Sequence, residues 1–188
     1  MSLNSKAVFL IIGGPGSGKS TIAAELSGPN VLHQSLGGIY RELSKEKSTQ
    51  GREIKRLIDH GQVVPPRIAK RALTSSLIND FQVVLIDGFP RTLNQALMFD
   101  AIVSRTKYQL NAVVELLVDP EIAFQRIVGR NRGVDDNPDM FESRMQLYLH
   151  DIHEIRHYYQ NKNSYKIING NPEKSVVVSS LREIIHST

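Results

Sequence analysis

The stretch GGPGSGKS, Gly13 to Ser20, has the spacing of a phosphate cradle: glycine, four residues, glycine, lysine, then a hydroxyl. Glycines at 14, 16 and 18 leave room for backbone N–H groups, with Ser17 among them, to close on phosphate oxygens. A helix starting there adds the partial positive charge of its N-terminus. Lys19 can then reach the β and γ phosphates of a nucleoside triphosphate, and a hydroxyl from Ser20 or Thr21 can bind Mg²⁺. The motif identifies a phosphoryl donor and leaves the acceptor open.

The acceptor is suggested by IDGFPRTLNQA, residues 86–96. Asp87 ends an apolar run, where a carboxylate can hold Mg²⁺ through water. Gly88 and Pro90 turn the chain sharply, and Arg91 offers a planar fork of five donors to a phosphate. Further on, Arg144 neighbours Phe141, Met145 and Tyr148 on an otherwise apolar helical stripe, where a charge needs a partner. Asp135 and Asp136 read either as a solvated turn before an Asn137 cap or as partners of nearby arginines. His150, His153 and His157 are spaced for one helix face, but no carboxylates complete a metal site, so a polar flank is the plainer reading. Lys45, Lys47, Lys55 and Arg56 read as a solvated face.

These residues must be held by a scaffold. Apolar runs at 7–12, 30–35, 81–87, 111–119 and 165–169 alternate with helical patterns, which predicts an α/β fold with parallel strands covered on both faces. Asp119-Pro120, Asn137-Pro138 and Asn171-Pro172 each read as a helix cap followed by a first-turn proline. Residues 38–64 read as a polar helical pair with little apolar surface, and 131–137 as a short charged loop. Each is suited to move over a cleft. The chain has 188 residues, a formal net charge of +4 and no cysteine. This describes one globular domain over 1–188 without a disulfide framework, which fits a reducing compartment. No lysine-rich tract or aromatic ladder points to nucleic acid, and no apolar run is long enough to span a membrane.

The combination of GGPGSGKST, DGFPRT and Gln95 resembles the adenylate kinase family of nucleoside monophosphate kinases. SLGGIYR, at 35–41, stands where that family has S-T-G-D-x-x-R, GQVVPP closes the acceptor lobe, and R…GVDDN…R occupies the lid. The resemblance covers nearly the whole chain and is closest in outline to the short-lid members, cytosolic adenylate kinase and UMP/CMP kinase. It implies a P-loop NTPase three-layer α/β/α fold with a five-stranded parallel sheet, a nucleoside-monophosphate lobe at 35–64 and a lid at 130–137. Arg41 and Arg91 would clamp the acceptor monophosphate, and Gln95 would hydrogen-bond its base. Leu36, Gln62, Val63, Val64 and Gly88 would line the acceptor site. Arg126 and Arg130, four apart, would face the transferring phosphates, completed by Arg132 from the lid and by Arg144. Lys174 falls where the donor adenine is read by backbone. The resemblance implies ATP and AMP as substrates, Mg²⁺ as the ion, a cytoplasmic location and a monomer.

The sequence departs from the pattern at three places. Leu36 replaces a threonine that reads adenine, Gly38 replaces an acid near the metal waters, and the lid is a few residues shorter. UMP/CMP kinase activity, a kinase of a small metabolite, and a nucleotide-binding protein with little turnover therefore stand as alternatives.

Overall fold

The computed structural model describes residues 6–78, 80–129 and 138–187. Along the chain run β1 (Lys6–Ile12), α1 (Lys19–Ala24), β2 (Val31–Ser35), α2 (Leu36–Leu43), α3 (Thr49–Asp59), α4 (Pro66–Leu77), β3 (Val83–Asp87) and α5 (Leu93–Val103). After these come β4 (Tyr108–Leu117), α6 (Pro120–Val128), α7 (Pro138–Gln160), β5 (Tyr165–Asn169) and α8 (Lys174–His186). The strands form one parallel sheet in the order β2-β3-β1-β4-β5, the α/β architecture expected from the alternation of apolar runs and helices.

The central strands are apolar throughout because both sides are covered. Val8, Leu10 and Ile12 of β1 pack with Leu36 of α2, Leu73 of α4, Phe99 of α5 and Ile155 of α7. Phe9 and Ile11 pack on the other side with Ile22 of α1 and Leu181 of α8. Each such side chain contributes about 1.5–3 kcal/mol on burial. The edge strands differ from the expectation of two apolar faces: β2 is only partly buried, and Lys166, Ile167 and Asn169 of β5 are exposed.

Strand β4 starts three residues before the run that predicts it. Its pairing with β1 slips between Val8 and Phe9, leaving Asn111 without a partner position and its buried Oδ1 without a hydrogen bond among the described residues. The bulge sets which face each later residue takes. Val113 joins the α7 side, while Ala112, Val114 and Leu116 join the α1/α8 side, so Glu115 alternates toward α7.

Helix starts follow local chemistry. The Ser35 hydroxyl caps α2 by accepting from the Gly38 N–H, Ser48 caps α3 through Gly51, and Thr92 caps α5 through Gln95. Pro120 and Pro138 open α6 and α7 as expected; Asn137 lies outside the described residues. The third expected start is corrected: α8 begins at Lys174 with Glu173 at its cap. Asn171 is engaged elsewhere, its Oδ1 accepting from the Asp119 N–H at 2.9 Å and its Nδ2 donating to Asp119 Oδ2 at 2.8 Å. The helical pair is polar outside, but Tyr40 and Ile54 are buried in the main core, and Ile39, Leu43 and Ile58 pack against it. Lys45, Lys47, Lys55 and Arg56 are exposed.

Candidate active site

The site lies at the carboxyl ends of the strands, where the loops after β1, β2 and β3 meet. Gly16 has φ 77°, and a Cβ there would come within 2.2 Å of the Ala123 carbonyl oxygen. Only glycine lets the loop lie this close to α6. Gly18, also left-handed, forms the N-cap of α1. Lys19 folds back over the loop, its Nζ donating to the Gly14 carbonyl at 3.0 Å and to Ser17 Oγ at 3.2 Å. Met145 and Tyr148 of α7 close against Gly14 from the other side.

Asp87 shares its side of the sheet with Leu85 and so points toward α1. Ser20 Oγ donates to Asp87 Oδ1 at 2.9 Å, and His33 Nε2 lies 2.5 Å from Asp87 Oδ2. Burial alone would raise the Asp87 pKa. The His33 hydrogen bond and the charge of Lys19 outweigh it and hold the carboxyl below its ordinary value. Of the two hydroxyls that could serve a metal, the structure brings Ser20 to the carboxylate, while Thr21 is exposed. His33 was missed in the sequence. Only the parallel register, which sets Ser35 beside Asp87, brings His33 two residues earlier within reach of the carboxylate.

After Asp87 the chain turns through Gly88, φ 76°, and a cis Phe89–Pro90 bond. Arg91 Nε donates to the Gly88 carbonyl at 3.2 Å. The Arg91 backbone N–H donates to Gln95 Oε1 at 2.7 Å, and Gln95 Nε2 donates to the Val64 carbonyl at 2.8 Å. Gln95 is therefore buried and tied to the protein at both ends of its amide in this conformation, which differs from the base-facing role expected of it.

Two cavities meet here. The larger includes Pro15, Lys19, Val63, Gly88, Arg91 and Arg144 in its lining. The smaller is lined by Tyr40, Arg41, Gln62 and Val64, again with Arg91 and Arg144. Arg91, Arg144 and Gly61 belong to both walls, so two guanidinium groups stand where the cavities join. The structure thus brings Lys19, Arg41, Gln62, Val63, Val64, Gly88, Arg91 and Arg144 around one double cavity.

Other expected residues fall elsewhere. Leu36 is fully buried in the main core and is not part of either cavity wall. Arg126 donates to the Asn171 carbonyl at 3.2 Å. Lys174 pairs on the surface with Glu25 at 2.8 Å, which lowers the Glu25 pKa. Helix α6 carries Arg126 in its last turn. Arg130, Arg132, Asp135 and Asp136 lie outside the described residues. His150, His153 and His157 are exposed, and among the described residues no cluster of three or more metal-binding side chains occurs.

Behind the cradle sits a buried charge. Glu115, whose strand position pairs with Ile12, has no exposed surface. Arg156 of α7 grips it with Nη2 3.0 Å from each carboxylate oxygen, and the hydroxyls of Tyr148 and Tyr165 donate to it. Burial and these hydrogen bonds raise the pKa of both phenols, which stay neutral donors.

Comparison with known proteins agrees with this geometry. The family model described as Adenylate kinase matches residues 11–164. An adenylate kinase of Campylobacter lari is 36% identical over 185 residues, covering 96% of this chain and 97% of the relative. One from Nitratiruptor sp. is 37% identical over 185 residues, covering 96% and 95%. One from Helicobacter pylori is 35% identical over 187 residues, covering 97% and 98%. With the match running through the phosphate cradle, the arginine-lined cavities and the long helix behind them, this chain belongs to the adenylate kinase family.

Proposed function

We propose that the protein transfers the γ-phosphoryl group of ATP to AMP, forming two molecules of ADP. One observation carries the reading: Arg91 and Arg144 line both the cavity that holds Lys19 and the cavity that holds Arg41. ATP would place its phosphates on the Gly13–Ser20 cradle, and AMP would place its phosphate against Arg41. The two phosphates then face each other across the shared arginines.

An oxygen of the AMP phosphate attacks the γ-phosphorus, and the bond from that phosphorus to the β–γ bridging oxygen breaks. The bond's electron pair stays on the leaving ADP. The nucleophile is already an anion, so the step needs no general base. What the chain supplies is alignment and neutralisation of charge on the transferring group. Lys19 and the cradle N–H groups hold the donor, Arg91 and Arg144 meet the charge between the nucleotides, and Arg41 holds the acceptor. Arg126, Arg130 and Arg132 join this ring in our reading.

Mg²⁺ fits the donor set of the site. Ser20 and Asp87 offer hard oxygens 2.9 Å apart, and a carboxylate kept ionised suits a cation that takes most of its remaining ligands from phosphate and water. When bound, the ion neutralises phosphate charge and orients the β and γ oxygens. Residues 35–64 and the 130–137 segment would close over the nucleotides and exclude water. We read Leu36, Gln62, Val63, Val64, Gly88 and Gln95 as the acceptor wall, and the Lys174 backbone as a contact to the donor base. A cytoplasmic location fits a cysteine-free chain, and we read the protein as a monomer. Among the described residues no helix is long and apolar enough to cross a membrane.

A panel of AMP, dAMP, CMP, UMP and GMP with ATP and Mg²⁺ tests the assignment by kcat/KM. AMP is expected to be the best ribonucleotide acceptor. If it is the poorest, the reading fails.

A further inference from the structure

The smaller cavity poses a question of recognition. Arg41, Arg91 and Arg144 give it ample donors for a phosphate, but its other lining residues include few groups that could tell one base from another. Leu36 has no polar side-chain atom and is fully buried. Gln95 has its amide oxygen on the Arg91 N–H and one amide N–H on the Val64 carbonyl. Ile58 and Val64 are apolar, and Gln62 is exposed.

Tyr40 is different. It lines this cavity, yet only 7% of it is exposed. Its ring is part of the main core. Among the described residues its hydroxyl has no hydrogen-bond partner. Burial, partly offset by the charge of Arg91, pushes its pKa up to about 12, so it stays a neutral donor and acceptor at any working pH. It lies four residues after Leu36 on α2, hence on the same helix face, and a helical side chain leans back over the preceding turn. The phenol therefore leans over Leu36 in the wall of this cavity, within range of the Arg91 charge.

We propose that Tyr40 is a specificity-determining residue: its hydroxyl hydrogen-bonds the base edge of a purine nucleoside monophosphate in the cavity shared by Arg41, Arg91 and Arg144. This rests on reading that cavity as the acceptor site. A neutral hydroxyl can donate to a ring nitrogen or accept from an exocyclic amine, and a pyrimidine set at the same sugar would not extend to it. A site that buries a polar group for one substrate leaves it unpaired with another, and that is where discrimination arises.

Tyr40→Phe removes one oxygen and keeps the ring in the core, so the melting temperature is expected to stay within about 2 °C of the parent. The KM for AMP should rise roughly tenfold, while those for CMP and UMP change less than about twofold and the KM for ATP and kcat hold. The preference for AMP over CMP then shrinks by about the same tenfold. An equal loss with all acceptors would place the contact on the shared phosphate or ribose and overturn the proposal. So would unchanged values throughout. Arg41→Met, measured in parallel, separates the two ideas. If it leaves AMP use intact, the acceptor-site reading has failed and takes this proposal with it. If it raises KM for every acceptor while Tyr40→Phe alters none, only the role of Tyr40 is lost.

Discussion

At Gly38 the resemblance leads one to expect an acid, and the local geometry shows what a side chain there would meet. Gly38 is the third residue of α2 after its Ser35 cap, a position where a carboxylate faces the positive end of the helix. An added Cβ would lie 3.4 Å from Ser35 Cβ and 3.6 Å from Ser35 Oγ, ordinary contact distances. Gly38→Asp should therefore stabilise the fold by about 0.5–1 kcal/mol, from helix propensity and the dipole. That corresponds to a rise of about 1–4 °C in melting temperature for a chain of this size. A lower melting temperature would mean that the turn after β2 cannot hold a side chain. Individual residues were unevenly legible in the sequence. Lys19, Asp87 and Arg91 sit in motifs whose spacing fixes their surroundings, so their neighbours could be anticipated. Tyr40 and His33 could not be, because their roles depend on one helical turn and on one strand register that no local pattern records.

At the scale of elements, the parallel sheet was legible because buried strands must be apolar on both faces. What escaped was the polar exception. Glu115 interrupts the apolar run of β4, and nothing local says that α7 and β5 return to meet it. The bulge at Asn111 turns Glu115 toward α7, where Arg156, Tyr148 and Tyr165 converge on its carboxylate. A charge without exposed surface is costly unless it is paired. Arg156→Ala should thus cost about 3 kcal/mol, since it leaves the carboxylate buried with only the two phenols. The melting temperature should fall by roughly 6–12 °C. Urea unfolding with an unchanged m-value would confirm that the native contact, and not the unfolded state, was altered. A loss below about 0.5 kcal/mol would show that the hydroxyls alone satisfy Glu115. The same helix carries Arg144 twelve residues earlier, about 18 Å along its axis. The Glu115 network therefore anchors the element that delivers this guanidinium to the junction of the cavities.

For the whole molecule, the arrangement of two cavities with common walls makes a demand that neither cavity makes alone. A ligand with two adenosines joined through five phosphates would set one nucleoside on the Lys19 side and the other on the Arg41 side, with the bridge passing Arg91 and Arg144. Each half then binds with the other already positioned, so affinity gains from effective concentration without any new kind of contact. A ligand that binds the folded state alone, at a thousand times its Kd, stabilises by about 4.1 kcal/mol. For a domain of this length the melting temperature should then rise by about 8–16 °C. ATP at the same concentration occupies one side only and should give a clearly smaller shift. Arg144 lines both cavities, so Arg144→Met should bring the shift from the two-headed ligand down toward that of ATP, while the melting temperature without ligand moves little by comparison. Thermal scans over a series of concentrations read all of these quantities. Equal shifts from ATP and the two-headed ligand, or a shift indifferent to Arg144, would mean that the two cavities do not act as one binding site.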